Sequence, residues 1–469
     1  MSQADDDYDL AVVGAGSAGF AAAISGAEQG ARVALVGAGL PGGTCVNVGC
    51  VPSKTLIRAA EALHQGRSAS RFAGIGGTGA LHDWAALQAQ KERLVADLPQ
   101  SKYLDLLKAY RTIEYREGPA CLVPGGLSIG GAALRAGKTI ISTGARPLIP
   151  AIAGIEGVDF LDSTAAMALR ALPGSLLVVG GGYVGVELAQ MFARAGGAVT
   201  LACRSRLLPA AEPELAEALT QYLRAEGITV LCGLAYKRGE ATDDGVALSV
   251  ERDGVPQVIA AERLLLATGR RANVEGLGLA EQGIRQGGNG GIQVDAYLRT
   301  TQPDIYAAGD VTGRDLFVYM AAYAGRIAAE NALGGDRHRY ESGAMPRVVF
   351  TDPQLASVGL TETEARRQGY DVATSILSLD RLPRALVAHD TRGLIKLVAE
   401  PVSGRLLGAH ILAPEGADSI QTAALAIRQG LSVDELAGMI FPYLTTVEGL
   451  KLAAQGFRKD ISRLSCCAG

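Results

Sequence analysis

Cys45 and Cys50 lie five positions apart in Gly42-Gly43-Thr44-Cys45-Val46-Asn47-Val48-Gly49-Cys50-Val51-Pro52-Ser53-Lys54, after a glycine pair and ahead of a predicted helix. That spacing sets both sulfurs near one helical turn, within disulfide reach if the helix is slightly distorted. The preceding glycines let backbone approach a bulky ligand closely. A helix N-terminus favours the reactive thiolate over the thiol. Such a pair offers reversible disulfide exchange or capture of a soft metal. A structural disulfide, or two buried thiols without a role, fits the same spacing equally well.

The sequence holds seven cysteines, an odd number on a long chain, which argues against a secreted disulfide framework. Cys466 and Cys467 are adjacent near the C-terminus. Vicinal thiols near a chain end are prone to oxidation, which counts against an incidental, disordered tail. Cys121, Cys203 and Cys232 are scattered in apolar surroundings and are expected to be inert core thiols.

A redox pair needs an electron source, and the neighbouring sequence holds two nucleotide-binding patterns. An apolar run at residues 8–13 leads into Gly14-Ala15-Gly16-Ser17-Ala18-Gly19, an alanine-rich helical segment, and a second strand at 32–36. Gly14, Gly16 and Gly19 give the tight turn and close approach that a pyrophosphate at a helix N-terminus requires. Gly37 stands where an acidic ribose contact is expected, so that bond is lost or replaced. The pattern recurs: a strand from 176, then Gly180, Gly182 and Gly185 at the same spacing, then a helix. Its next strand is followed by Cys203-Arg204-Ser205-Arg206 instead of an acid. Two arginines suit a ribose 2′-phosphate, which favours NADPH over NADH.

Strands ending in Thr143-Gly144-Ala145-Arg146-Pro147 and Thr268-Gly269-Arg270 close the two units, and Asp310 follows a further strand, placed to bond an extended cofactor chain. The chain is thus expected to leave a first domain, build a second and return. Long helical segments are expected at 55–63 and 84–110, and a separate α+β domain from about Met345.

Composition agrees with an enzyme of roughly three domains, on a prior of ~150 residues each. The 469 residues are 48% hydrophobic, which argues against disorder, and the 61 glycines cluster after apolar segments, as phosphate-binding turns do. A net charge of −4 gives no footprint for nucleic acid or an anionic membrane. The first residues lack the basic and apolar stretches of a secretory signal, and no apolar run is long enough for a bilayer, so a cytoplasmic location is expected.

On these motifs the chain resembles the pyridine nucleotide-disulfide oxidoreductases along essentially its whole length. Within them it is most similar to the mercuric reductase branch. The residues that carry this are 45–54, Phe441-Pro442-Tyr443 and Ser465-Cys466-Cys467-Ala468-Gly469. The resemblance implies an α/β fold with two Rossmann-like dinucleotide-binding domains, for FAD and NADPH, and a C-terminal α+β dimerisation domain. Residues 1–150 and 272–343 would form the FAD-binding part, 151–271 the NADPH domain and 344–469 the interface domain with its Cys-Cys tail. FAD would contact Gly14, Gly16, Gly19, Gly43, Thr44, Lys54, Thr143, Gly144 and Asp310. NADPH would contact Gly180, Gly182, Gly185, Arg204, Arg206 and Gly269. Lys54 would lie by the flavin and pair with Glu187, and Tyr183 would cover the nicotinamide site. Cys50 would face the flavin, with Cys45 the exchanging thiol.

The same resemblance implies Hg(II) as substrate, carried by small thiols, taken up by Cys466 and Cys467 and passed to Cys45 and Cys50. A homodimer is implied in which the tail and Tyr443 serve the partner's thiols. One departure from the disulfide reductases supports this choice. Their C-terminal acid/base histidine is missing, because the segment reads Phe441-Pro442-Tyr443-Leu444-Thr445, and Glu448 is left without an imidazole. Protonation of a thiolate leaving group would be poor, whereas a phenol can assist a metal. No N-terminal metal-binding domain with a C-x-x-C loop precedes the flavin-binding motif, so delivery by such a domain is expected to be dispensed with or left to another protein. A thiol–disulfide reductase relaying electrons through Cys466 and Cys467, and a soft-metal-binding flavoprotein without turnover, are the alternatives.

Overall fold

Continuous apolar runs mark strands covered on both faces, and Tyr8–Val13 and Val33–Gly37 are of this kind. In the computed structural model, which describes residues 7–460, they lie at the centre of a seven-stranded sheet. Ile113–Glu117, Val33–Gly37, Tyr8–Val13 and Ala132–Ile141 are parallel neighbours in that order, and Ile305–Ala307 pairs parallel with the last. The start of Ala132–Ile141 turns to antiparallel pairing with Gly126–Ile129, which pairs in turn with Ala120–Val123.

Leu10, Val12, Leu35 and Ile140 are fully buried in this sheet, each worth about 1.5–3 kcal/mol of transfer free energy. Helices Ser17–Glu28 and Val318–Gly334 cover one face. Small residues let them touch backbone to backbone: a Cβ on Gly325 would lie 2.1 Å from Ala18 O. This sheet belongs to one compact unit, made of the chain through Thr55, Ala85–Leu148 and Gly269–Glu341. The chain leaves it at Leu148 and comes back at Gly269. There Ala145–Pro147 pairs antiparallel with Arg270–Ala272, and Leu148 N donates to Gly269 O at 2.9 Å.

The other unit holds Leu56–Trp84, Ile149–Thr268 and the chain from Ser342. Its parallel sheet runs Thr229–Leu231, Ala198–Ala202, Ser175–Val179, Arg263–Leu266, Phe160–Leu161. An antiparallel meander, 235–261, follows. A five-stranded antiparallel sheet runs Arg347–Val349, Gln354–Gly359, Leu406–Ala413, Leu394–Ala399, Ala373–Ser378. Helices Gly416–Arg428 and Glu448–Gln455 contribute to its core. Buried charge ties this sheet to the parallel one. Lys396 Nζ is 3.0, 2.8 and 3.0 Å from Glu212, Glu214 and Glu362, and Arg194 and Arg392 share Glu226 and Asp352.

The helices depart from expectation in one place. Cys50–Arg67 and Trp84–Pro99 are α-helices, but the second gives way to a π turn, Gln100–Leu104, rather than continuing to 110. Pro99 supplies no N–H to the ladder at that point, and the register slips.

Candidate active site

The short helix Gly43–Val48 and the helix Cys50–Arg67 meet at Gly49, where a Cβ would lie 2.9 Å from Thr44 O and 3.3 Å from Cys45 Cα. The tight joint brings Cys45 back beside Cys50. Asn47 Nδ2 pins the loop by donating to Pro41 O at 2.9 Å and Gly43 O at 2.8 Å. None of the five described cysteines is in a disulfide, so the pair is in its dithiol form. The hydrogen bond to Cys50, and burial, push the Cys45 thiol up, while Lys54 one turn along pulls it down. Cys45 therefore holds its proton against Cys50. Tyr103, carried by the π turn, is edge-on to Phe20 at 4.8 Å, and its hydroxyl is raised by burial and by the neighbouring thiol pair, against a hydrogen bond with Ser17. No sequence motif marks Tyr103, because its approach depends on the register slip at Pro99.

Beside the pair lies a cavity of about 650 Å³ lined by Gly14, Gly16, Gly43, Thr44, Thr143 and Gly144, among others. The glycines are sterically required. Gly14, at φ +112°, would set a Cβ 2.3 Å from Ser142 O, and Gly19 would set one 1.7 Å from Gly14 O. Gly43 approaches Gly16 so closely that a Cβ would lie 2.8 Å from Gly16 Cα. Such backbone crowding around an open cavity fits a pyrophosphate-bearing cofactor. Thr143 and Asn273 lock the far wall: Thr143 Oγ1 donates to Asn273 O at 2.6 Å, and Asn273 Nδ2 to Thr143 O at 2.9 Å. Arg146, paired with Glu275, also lines the cavity. Asp310 pairs with Arg270 at 3.8 Å, and burial raises its carboxyl while Arg270 lowers it. Asn273, Glu275 and Arg146 have no motif of their own in the sequence.

The missing acid at Gly37 has a structural counterpart. A Cβ there would lie 2.8 Å from both Ala15 Cβ and Tyr115 Oη, so no larger side chain fits. Tyr115 comes from the adjacent strand, where Glu117 stands directly opposite Gly37.

In the second unit the glycine pattern repeats in three dimensions. A Cβ on Gly180 would lie 2.2 Å from Ala267 O and one on Gly185 2.0 Å from Gly180 O, while Gly182 faces open space at the start of helix Tyr183–Ala195. Gly269, at φ +122°, makes the turn by which the chain returns to the first unit. Tyr183 is partly buried, which raises its hydroxyl, with Arg347 acting against the shift. Glu187 is 6% exposed and accepts from Phe350 N at 2.9 Å. The two arginines differ. Arg204 is exposed, whereas Arg206 donates to the carbonyls of Leu208, Pro209 and Ala211 at 3.2, 2.8 and 2.6 Å. Cys203 and Cys232, expected as scattered core thiols, adjoin instead at 3.3 Å between sulfurs.

Tyr443 is 49% exposed, and the next residue, Leu444, has φ +62°, a left-handed backbone rare for so bulky a side chain. Glu448 is buried, accepts from Leu444 N at 3.2 Å and has its carboxyl raised by burial. Cys466 and Cys467 lie outside the described residues.

Family models match nearly the whole chain: pyridine nucleotide-disulphide oxidoreductase over residues 8–329 and the dimerisation domain of the same family over 345–454. The chain belongs to the pyridine nucleotide-disulphide oxidoreductases. Among curated relatives, a mercuric reductase of Streptomyces lividans is 47% identical, with all of both chains aligned. One of Staphylococcus aureus is 44% identical over 99% of this chain and 85% of its own, and one of Shigella flexneri 44% over 98% and 82%. Among solved structures, the HOCl-induced flavoprotein disulfide reductase RclA from Escherichia coli superposes with a TM-score of 0.83 at 30% identity, covering 96% of this chain and 99% of that one. Its Cu(II) complex gives 0.84. The fold expected from the sequence, two nucleotide-binding motifs in α/β surroundings followed by a dimerisation domain, is that of the family.

Proposed function

We propose that this chain reduces Hg(II) with NADPH, through FAD and the Cys45–Cys50 pair: NADPH + Hg(II) gives NADP⁺, H⁺ and Hg(0). The observation that carries this reading is the adjoining Cys45–Cys50 dithiol beside a nucleotide-sized cavity, in a chain 47% identical to a mercuric reductase. FAD, when bound, supplies a two-electron carrier between the nicotinamide and the thiols. Gly14, Gly16, Gly43, Thr44, Thr143 and Gly144 would hold it, since all six line that cavity and the close backbone approaches at Gly14 and Gly43 shape its wall.

The rest of the chemistry falls to side chains. Hg(II) is soft and prefers thiolates. Cys45 holds its proton until an incoming metal displaces it, and Cys50 accepts that hydrogen bond meanwhile. Lys54 supplies a positive charge next to the pair. In this reading Cys466 and Cys467 take the metal from small thiols, and Tyr443 helps hand it over. The two subunits of a homodimer share each site, and the protein works in the cytoplasm. No helix among the described residues is long and apolar enough to cross a membrane. Residues 1–150 and 272–343 hold the flavin, 151–271 the NADPH, and 344–469 the interface; Glu187 serves the flavin side through Lys54, and Tyr183 shields the nicotinamide site.

The test is NADPH-dependent loss of volatile mercury from a solution of the purified flavoprotein, Hg(II) and excess thiol. NADPH oxidation with glutathione disulfide but not with Hg(II) would overturn the proposal in favour of disulfide reduction, the activity for which the E. coli protein is named. Cys50→Ala is expected to abolish turnover with the flavin still bound, read by its visible absorbance.

A further inference from the structure

Cys203 and Cys232 are 29 residues apart in sequence. They follow two parallel neighbours, Ala198–Ala202 and Thr229–Leu231, in which Ala202 stands opposite Leu231. The next residue of each strand therefore faces the other, and Cys203 N donates to Leu231 O at 2.9 Å. Their sulfurs are 3.3 Å apart, so forming a bond of about 2.05 Å needs a closure of about 1.3 Å, within reach of side-chain rotation together with a small shift of the two strand ends. Neither thiol has a part in the reaction described above.

We propose that Cys203 and Cys232 form a second redox pair, oxidised to a disulfide by a low-molecular-weight disulfide, and that closing it weakens NADPH binding. The second half rests on the reading that Arg204 faces the 2′-phosphate.

The two thiols are unequal in the way exchange requires. Cys232 is partly exposed and held at about 6 by its hydrogen bond from Cys203 first, against burial, with Arg224 and Arg252 helping. It is the attacking thiolate at neutral pH. Cys203 is 3% exposed and pushed up by the same hydrogen bond and by burial, which makes it the resolving thiol. Cys232 attacks R–S–S–R, forming a mixed disulfide and releasing R–S⁻. Cys203 then attacks the Cys232 sulfur, releasing the second R–S⁻. Cys203 gives its proton to one departing thiolate and the other takes one from water, so one cysteine thiolate, one cysteine thiol, a solvent proton and one R–S–S–R become one protein disulfide and two R–SH.

The pair is built into the nucleotide edge. Cys203 Cβ lies 2.9 Å from where a Cβ on Gly181 would be, in the glycine turn itself. The Arg204–Ser205 turn is tied to the residues after Cys232 by two bonds, Gly233 N to Ser205 O at 3.0 Å and Leu234 N to Cys203 O at 3.1 Å. Drawing the sulfurs together shifts the segment that carries Arg204. Such a pair would slow NADPH use when disulfides accumulate and the thiols that carry the metal run short.

The full-length flavoprotein is incubated with glutathione disulfide and mapped by mass spectrometry without reduction, with KM measured for NADPH and NADH. The expected result is a Cys203–Cys232 cross-linked peptide and a KM for NADPH about tenfold higher, a 1.4 kcal/mol loss, with NADH little changed and dithiothreitol restoring both. Cys232→Ser should lose the cross-link and the shift while keeping the reduced enzyme's rate. Absence of the peptide overturns the pair, and a peptide with unchanged KM overturns the gate. If Arg204→Ala in the reduced enzyme raises KM equally for NADPH and NADH while the cross-link still forms, the 2′-phosphate reading fails and the redox pair stands.

Discussion

Arg204 and Arg206 show how far a motif reads and where it stops. Their position after the second nucleotide strand is legible because in such a parallel sheet that is where a ribose contact is expected. Their division of labour is not, since Arg206 spends its guanidinium on three loop carbonyls and Arg204 is exposed. Arg204→Ala is therefore expected to raise the KM for NADPH several-fold more than for NADH. Arg206→Ala should instead lower thermal stability and hurt both nucleotides alike. Parallel KM ratios for the two variants would show that both arginines meet the phosphate. The glycines were readable for a steric reason: with Gly14 O only 1.7 Å from any Cβ at Gly19, no other residue is tolerated. Gly19→Ala should cost more than the about 1–3 kcal/mol of ordinary overpacking and leave the purified protein without its yellow chromophore. Tyr103 and Asn273 stayed hidden because one reaches the thiols and the other the cavity from a distant segment, and nothing local in the sequence records that.

Among the elements, strands and glycine turns followed from apolar runs and punctuation, whereas the buried charges did not. Lys396 sits in a run, Leu394–Ala399, that reads as plain core, yet its ammonium is 1% exposed among three carboxylates. Burial works against the charge, but the hydrogen bonds of Glu214, Glu362 and Glu212 outweigh it and hold the ammonium above its ordinary range. Lys396→Ala would leave Glu212, itself 1% exposed, without its main partner. The expected cost is about 3–5 kcal/mol, measured by denaturant unfolding. Lys396→Met with Glu212→Gln should recover part of it. The pH dependence has a definite sign. Hydrogen bonds with Lys396 and Arg366 hold the Glu362 carboxyl below its ordinary 4.5. Its contribution to stability is thus full above about that pH and is lost as pH falls through the depressed value. Lys396→Met should flatten the acid side of the stability curve, and an unchanged acid slope would remove this network from the cause.

For the whole molecule, the order of nucleotide unit, second unit, return and dimerisation domain was legible because a repeated glycine motif marks the start of each nucleotide unit and a change of texture marks the last domain. In the proposed reading Tyr443, Cys466 and Cys467 serve the thiol pair of the partner chain. Exposed apolar residues in the dimerisation domain, with Ile440 at 100%, Val402 at 92% and Leu425 at 55%, are the kind of surface a second copy covers. A mixing experiment separates the arrangements. One variant is Cys50→Ala; the other carries Tyr443→Ala, Cys466→Ala and Cys467→Ala. Each is expected to be inactive with Hg(II) on bulky thiols. After dissociation and reassembly, half the dimers are mixed if chains combine at random. If each site joins Cys50 of one chain to the C-terminal residues of the other, one of the two sites in a mixed dimer is intact, and roughly a quarter of wild-type activity returns. If both groups come from the same chain, every site in the mixed dimer carries a defect and no activity returns. The fraction recovered thus decides between a site shared across the two-fold axis and one closed within a single chain.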